Sequence, residues 1–523
     1  MPPKSSKRSP KCSHPTLCTT STPHAQAAGC MRPTLSQRLA AATPSGTFNR
    51  PQPPRNTHSK SKPNPDSDIE SDSESRLYPA PLVLPGSEIS LYPNEKGQSL
   101  RGWQRSSHVN RVTEERKRIY ISLPPGYGVG VEAMRGWTVP KGVKRDGNEG
   151  MGLDYELVAR YVGVFYHGLE VTVLPEGEFA WLVDEDAESG KGKGRPKAKT
   201  KGKGKSKAKS QASDFEDDPR IGLRSSSSNE YTTIRSRPTP NYPYGSQLNL
   251  NDILDFAIAS LPDDAYALLM LLEHDLYEDE EDEFVCGRAY GGSRVAVVSG
   301  ARYWPGFDEE EGVERIHGWP ASHCEAFLEG LMDEVGARTG GKNGSKRDMK
   351  KSMMEEENKE TRGDMPLHRA LDVYTLPTTT RALTLLHIAR LARTASHELG
   401  HCFGIAHCTY YACIMQGSAS LAEDARQPPY LCPVDEAKVL RATGKVVVSE
   451  TRMESWRRER LVAMREFCRQ VVGEWGVDGE GSMFECLEMW VGALLEGGEE
   501  VRDGKRIEEK ERERVIIDLT MDD

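Results

Sequence analysis

The chain has 523 residues, of which 37% are hydrophobic and 28% charged, with a mean hydropathy of −0.62. The length fits roughly two or three ordinary domains, but the apolar content is too low for all of it to fold. With 79 acidic against 69 basic residues the formal charge is −10, which argues against a generic nucleic-acid binder. There is no run of 18 apolar residues, and the start MPPKSSKRSPKCSHPT lacks the apolar core of a signal peptide. Neither membrane spanning nor secretion is therefore expected, and the chain reads as intracellular, cytoplasmic and/or nuclear.

Residues 1–75 are rich in Ser, Pro, Lys, Thr and Asn, end in DSDIESDSES and have no apolar periodicity, so they read as a disordered tail. Character changes near Tyr78, and a folded domain is expected over 77–440. In it, YELVARYVGVFYHGLEVTVLPE reads as a helix followed by a strand through Leu169, Val171 and Val173. A break follows over about 184–236, where Lys or Arg occupies every second position from Lys191 to Lys209 and SSSSN comes further on. Its glycines and mutual repulsion keep it extended. It reads equally as a nuclear-localisation or polyanion-binding segment and as a solvated insertion, and it is the only segment expected to meet nucleic acid.

Beyond it, LNLNDILDFAIASLP reads as a helix ending at Pro262, followed by buried strands at Ala267–Leu272 and through Val295, Val297 and Val298. The acidic run Glu278 to Glu283 reads as a solvated loop, because it lacks the glycine and ligand spacing of a calcium loop. A second polar insertion covers 336–363. Thr378 and Thr379 can cap a long helix, RALTLLHIARLARTASHELGHCFG, with Leu383, Leu386, Ala389 or Arg390, and Ala395 roughly on one face. Two amphipathic patterns, through Trp456, Met464, Phe467 and Val471 and through Met483, Leu487, Trp490 and Leu494, predict a helical extension over 441–497. A charged tail occupies 498–523.

The long helix carries His397-Glu398-Leu399-Gly400-His401-Cys402-Phe403-Gly404-Ile405-Ala406-His407, which is H-E-x-x-H-x-x-G-x-x-H without departure. Histidines four apart share a helical face, so both rings can reach one metal at about 2.0 Å. A continuing helix would carry His407 away from that metal. Gly404 can take a left-handed conformation, end the helix and turn the chain so that His407 closes the site. Three neutral ligands leave one zinc position for water, whose pKa the ion lowers to roughly 7. Glu398 is placed to accept the proton and pass it to a leaving amine, the chemistry of amide hydrolysis.

These residues resemble the metzincin zinc peptidases, and more narrowly the archaemetzincins. The resemblance continues through Cys408, Cys413, Met415 and Cys432-Pro433, and upstream through His274-Asp275-Leu276-Tyr277, Phe284 to Ala289 and Ser299-Gly300-Ala301-Arg302. It implies an α+β, zincin-like fold with a twisted mixed sheet and a zinc-binding helix. It also implies that Met415 is a Met-turn residue beneath the metal and that the cysteines hold a second, structural zinc. Independently, three thiolates spaced as C-x4-C with a later Cys are soft ligands at zinc-finger-like spacing. The family's fourth cysteine is Asp435 here, so that position falls to Asp435, to Glu436 or to nothing; without metal the cysteines would be reduced core residues. Tyr410 or Tyr411 could serve an oxyanion or merely pack. Cys402 and His387 read as packing residues, and Cys286 and Cys324 have no nameable partner.

Near the C-terminus, Val515, Ile516, Ile517 and Leu519 beside acids resemble a SUMO-interacting motif, which would add as a strand to the modifier's sheet edge. The sequence thus reads as a zinc-dependent metallopeptidase acting on a peptide or protein substrate. The rival is a zinc-stabilised scaffold recruited to SUMO-modified partners.

Overall fold

The computed structural model describes residues 12–14, 16–48, 77–141, 152–183, 221–240, 243–331, 365–444, 450–476 and 481–497. They form two compact units. One takes its residues from 12–112, 152–169 and 303–497, the other from 113–141 and 170–302, so the folded region expected over 77–440 is divided between them.

The second unit is built on a five-stranded mixed sheet. Its order is Gly287–Tyr290, Val295–Ser299, Ala265–Leu272, Arg118–Ser122 and Glu170–Val173, with Gly287–Tyr290 antiparallel to its neighbour and every other pair parallel. Ala265–Leu272 begins just after Pro262-Asp263-Asp264, and all eight of its residues are buried. Such a continuous apolar run is what a parallel strand covered on both faces requires. Helix Leu250–Ala259 starts at Asn249, whose side chain accepts from the Asp252 amide, and packs on Val295–Ser299.

The stretch expected as an insertion over 184–236 contains a hairpin in its last part. Ile221–Ser225 and Tyr231–Ile234 pair antiparallel and extend a second sheet with Phe179–Val183 and Gly126–Tyr127. The serine run that looked like low complexity is its turn. Asn229 takes a left-handed φ of 57°, and the hydroxyls of Ser225, Ser226 and Ser227 donate to the Glu178 carboxylate. The Lys-rich residues 191–209 and those at 336–363 lie outside the described residues.

The unit also brings together two of the short segments noted in the sequence. Arg302 donates to both oxygens of Asp275, at 2.8 and 2.7 Å, with the two side chains 2% and 0% exposed. Gln247 donates to the same carboxylate at 3.0 Å.

The first unit is organised around the helix Thr380–Cys402, whose Thr379 side chain accepts from the Ala382 amide. Its apolar face differs from the expected one: Ala382, Leu385 and Ile388 are buried, whereas Leu383 and Leu386 are only half-buried. From Ile388 to Ser396 every residue is buried, so no single stripe describes that part. The two buried arginines there are ion-paired: Arg390 with Asp308 at 2.7 Å, and Arg393 with Asp424. Helix Tyr155–Phe165 packs alongside, and Tyr161 donates to the Pro429 carbonyl at 3.0 Å.

The N-terminal residues correct a second expectation. Rather than being a disordered tail throughout, residues 16–48 contain the helices Pro23–Ala27 and Leu35–Ala41. The Ser, Thr and Pro content that suggested disorder is used in caps. Thr22 caps the first helix, and Thr34 with Gln37 forms a reciprocal capping box on the second. Ala25, Ala41 and Arg38 are buried.

The C-terminal helices belong to this same unit. Pro433–Thr443 and Glu450–Trp475 are followed by a helix at 483–497, and Trp490 stacks on Tyr430 with ring centroids 3.9 Å apart. Among the described residues no helix is long and apolar enough to cross a membrane.

Because Asp275 is fully buried with Arg302 as its cation, Arg302→Met should destabilise the protein by about 3–5 kcal/mol, the usual cost of stranding a buried charge. Denaturant unfolding is the measurement. The double variant Asp275→Leu with Arg302→Met should recover part of the loss.

Candidate metal centres

The turn after the long helix sets the first centre. Gly404 has φ +73°, its amide donates to the His401 carbonyl at 2.9 Å, and the Ile405 amide donates to the Gly400 carbonyl at 3.1 Å. This paired arrangement is a Schellman C-cap with glycine at the left-handed position. A side chain at Gly404 would also meet Val109 Cγ2 at 2.9 Å, so the position resists substitution twice over.

The reversed chain brings His407 beside His397 and His401, with one ligand nitrogen from each within 4.8 Å of the others. His397 Nε2 and His401 Nε2 are 3.1 Å apart. The opposite nitrogen of every ring is held by an acceptor. His397 Nδ1 meets the Ile414 carbonyl at 2.7 Å, His401 Nδ1 the Ile405 carbonyl at 2.7 Å, and His407 Nδ1 the Glu88 carboxylate at 2.8 Å. An Nδ1 facing a carbonyl oxygen must carry the proton, which leaves the Nε2 lone pair for a metal. The three rings thus fit a divalent ion such as zinc by donor type, tautomer and convergence.

Burial and the charges of the neighbouring rings hold His397 well below the usual imidazole pKa, and burial with His407 pushes His401 down to about 4. Both rings are neutral at neutral pH and so could serve as metal ligands. His407 moves the other way: burial lowers it, but the hydrogen bond and charge of Glu88 outweigh that and raise it. A proton on His407 therefore competes with metal as pH falls.

Glu398 is 8% exposed and follows His397 directly on the helix. Met415 is fully buried beneath the same helix, where a Cβ on Gly400 would collide with its sulfur. The Cys408 amide donates to the Met415 carbonyl at 2.7 Å, closing the loop that presents Ile414 to His397. Tyr410 donates its hydroxyl to the Gly97 carbonyl at 2.9 Å, and Tyr411 is buried with Arg32 and Arg38 over its ring. Both tyrosines are packing groups, so the oxyanion role considered for them has no support in this geometry.

The second centre gathers Cys408, Cys413, Cys432 and Asp435, all buried, with their ligand atoms within 4.8 Å of one another. Cys408 Sγ and Cys432 Sγ are 3.5 Å apart, and Cys413 Sγ lies 3.3 Å from Asp435 Oδ2. Glu436, the other candidate for the fourth position, points elsewhere and is ion-paired with Arg457 at 2.7 Å and Arg460 at 3.1 Å.

The description Peptidase family M54 matches residues 371–439, which contain both centres' histidines and cysteines. The chain is 29% identical to Archaemetzincin-2 of Homo sapiens over 202 residues, 39% of this chain and 44% of that protein. It is 27% identical to Archaemetzincin-1 of Mus musculus over 224 residues, 43% of this chain and 36% of that protein. These similarities bear out the resemblance to the archaemetzincins. It spans less than half the length of these relatives. Two solved structures are also similar. The archaemetzincin of Methanopyrus kandleri has a TM-score of 0.27 and 16% identity, covering 64% of this chain and 98% of that one. A zinc-dependent peptidase of Methanocorpusculum labreanum has a TM-score of 0.26 and 13% identity, covering 61% and 99%.

The Asp435 position has its own charge logic. Burial and the charge on Cys408 push the Asp435 carboxyl up to about 7, and burial drives the Cys413 and Cys432 thiols well above their ordinary range, whereas Cys408, although burial opposes it, is held well below its own by hydrogen bonds with those two thiols. The single buried ammonium of Lys438 balances only part of three thiolates and a carboxylate, a charge deficit that a divalent ion such as zinc would meet. Lys438, 1% exposed, donates to Asp435 Oδ1 at 2.7 Å while Oδ2 faces the thiols. The carboxylate can thus face a metal with one oxygen and an ammonium with the other.

Sequence reasoning missed Glu88, and no local signal marks it. It lies at the start of the short helix Glu88–Leu91, where its amide donates to the Glu423 carboxylate at 3.0 Å. The motif-like tail residues Val515, Ile516, Ile517 and Leu519 lie outside the described residues.

Glu88→Gln should weaken zinc binding at the histidine centre by about 10- to 100-fold, the range seen when a group orienting a ligand imidazole is lost. Competition against a chelator of known affinity measures this, and an unchanged constant would show that Glu88 does not orient His407.

Proposed function

We propose that this chain is a zinc-dependent metallopeptidase in which His397, His401 and His407 hold the catalytic ion and Glu398 is the general base. The observation that carries the reading is the convergence of three imidazole nitrogens, each fixed in its tautomer from behind, immediately beside a largely buried carboxylate. A purely structural metal site has no need of that carboxylate.

When bound there, zinc supplies Lewis acidity, polarising a scissile carbonyl and bringing a water's pKa toward about 7. The Glu398 carboxylate receives a proton from the attacking water as its oxygen adds to the carbonyl carbon. The same carboxyl then delivers that proton to the amide nitrogen as the C–N bond breaks. Met415 positions rather than reacts: it packs against the helix at Gly400, between the two helical ligands. The substrate class that follows is a peptide or protein.

The cysteine centre is read as a second, structural zinc held by Cys408, Cys413, Cys432 and Asp435. It lies on the chain that follows His407, so ordering it also orders the loop from Cys408 to Met415. Three soft thiolates favour zinc over magnesium or calcium, and the aspartate in place of a fourth thiolate is balanced by Lys438.

Glu398→Ala should retain zinc while lowering peptide hydrolysis by about 10²- to 10⁴-fold, the usual contribution of a positioned base. A variant that stays metal-loaded and fully active would sink the assignment. For the second ion, replacing Cys408 and Cys413 together with serine should remove one zinc per chain, and Asp435→Cys should tighten it. Zinc content that does not respond to the serine replacements would show that these thiols hold no ion.

A further inference from the structure

Away from both centres, four more ligand-type side chains converge within the first unit. Cys12, His14, His317 and Cys324 each place one ligand atom within 4.8 Å of the others. None belongs to the family's H-E-x-x-H or cysteine pattern, and Cys324 has no sequence-level partner. Cys12 Sγ and Cys324 Sγ are 3.6 Å apart, and the His14 and His317 rings stand edge to face at 5.6 Å.

The sulfur separation distinguishes the two chemistries open to a cysteine pair. A disulfide needs about 2.05 Å. Two thiolates at about 2.3 Å from one tetrahedral zinc lie about 3.8 Å apart, close to what is found. The backbone around the cluster holds this geometry. Leu17 pairs antiparallel with Cys324, the Cys18 amide donates to the His323 carbonyl at 2.8 Å, and the Glu325 amide to the Thr16 carbonyl at 3.0 Å. The N-terminal segment is thus tied to residues 323–325 by an isolated antiparallel bridge and its flanking hydrogen bonds.

The two histidines are prepared differently. His317 has its Nδ1 2.9 Å from the Glu314 carboxylate and its ring stacked on Phe327 at 4.2 Å, which leaves Nε2 for a ligand. This is the carboxylate-histidine pairing that backs metal-bound imidazoles. His14 takes a left-handed φ of 45°, uncommon for a residue with a side chain, and its buried Nδ1 has no hydrogen-bond partner. A ring with a buried, unpartnered nitrogen that converges with two sulfurs and a second imidazole is an arrangement a cation would complete.

We propose that Cys12, His14, His317 and Cys324 form a Cys2His2 structural zinc site that staples the N-terminal segment to the first unit. The staple has a consequence for the histidine centre. The segment that follows places Arg32 and Arg38 over Tyr411, and Arg32 donates to the Tyr410 carbonyl at 3.3 Å. Those tyrosines sit in the loop between His407 and Met415. Cys30, Arg32, Lys96 and Tyr410 also line a cavity of about 480 Å³.

The test is the zinc content of the full chain, purified in reductant with Zn²⁺ as the only added metal. Cys12→Ser with Cys324→Ser should lower zinc by one equivalent per chain relative to the parent and leave the Cys408 and Cys413 contribution intact. His14→Gln with His317→Gln should do the same, and serves where the cysteine variant fails to fold. With Co²⁺ in place of zinc, both variants should lose part of the thiolate-to-metal charge-transfer absorption. Unchanged zinc content in a folded variant of either kind overturns the proposal. So does a Cys12–Cys324 disulfide found by peptide mapping of the chain isolated without reductant. Because the readout is metal content, it stands or falls independently of peptide hydrolysis.

Discussion

The end of the long helix at Gly404 is the constraint on which the rest of the histidine centre depends. An α-helix can align His397 with His401 but cannot return a third ligand to them. The left-handed glycine makes that return available, and the same turn places the Ile405 carbonyl under His401 Nδ1. One backbone device therefore brings in the third imidazole and sets the tautomer of the second. The Cys408 to Met415 loop does the corresponding work for the first, since its closure presents the Ile414 carbonyl to His397 Nδ1.

Burial raises a second problem, because the helix that carries His397 and His401 is surrounded by protein over much of its length. Its two arginines there are paired internally, Arg390 with Asp308 and Arg393 with Asp424. Such pairs gain little net stability over apolar residues but are costly to break, so they tend to hold one arrangement. Their positive charge also matters: Arg393, one turn before His397, adds to the effects that keep that imidazole neutral. Asp435 and Lys438 apply the same principle at the cysteine centre, where a buried ammonium balances part of a thiolate-rich pocket.

Long-range tethering joins these local arrangements. Glu423 holds the Glu88 amide, Glu88 holds His407, and residues 16–48 reach back to the loop that carries Tyr410 and Tyr411. Positioning of the three imidazoles is consequently distributed over segments far apart in sequence. The N-terminal segment takes part because its threonines cap helices instead of remaining solvated, a use that composition cannot distinguish from disorder.

What the sequence by itself determined is whatever depends on local backbone geometry. The His397 and His401 spacing, the role of Gly404, the Thr379 cap and the Cys408, Cys413, Cys432 pattern all follow from hydrogen bonds and turns spanning a few residues. The buried strand read as Ala267 to Leu272, which the structure extends back to Ala265, was legible for the same reason, as a strand covered on both faces shows its burial in composition alone. Only the tertiary structure decided that Leu385 and Ile388 face the core more fully than Leu383 and Leu386, because neighbours on several sides leave the helix without a single apolar stripe. It alone placed Glu88 behind His407, Arg302 on Asp275, and Cys12 with His14 beside Cys324. Those pairings join residues whose separation along the chain carries no periodic signal, and they arise only when the path of the whole backbone brings them within a few ångströms.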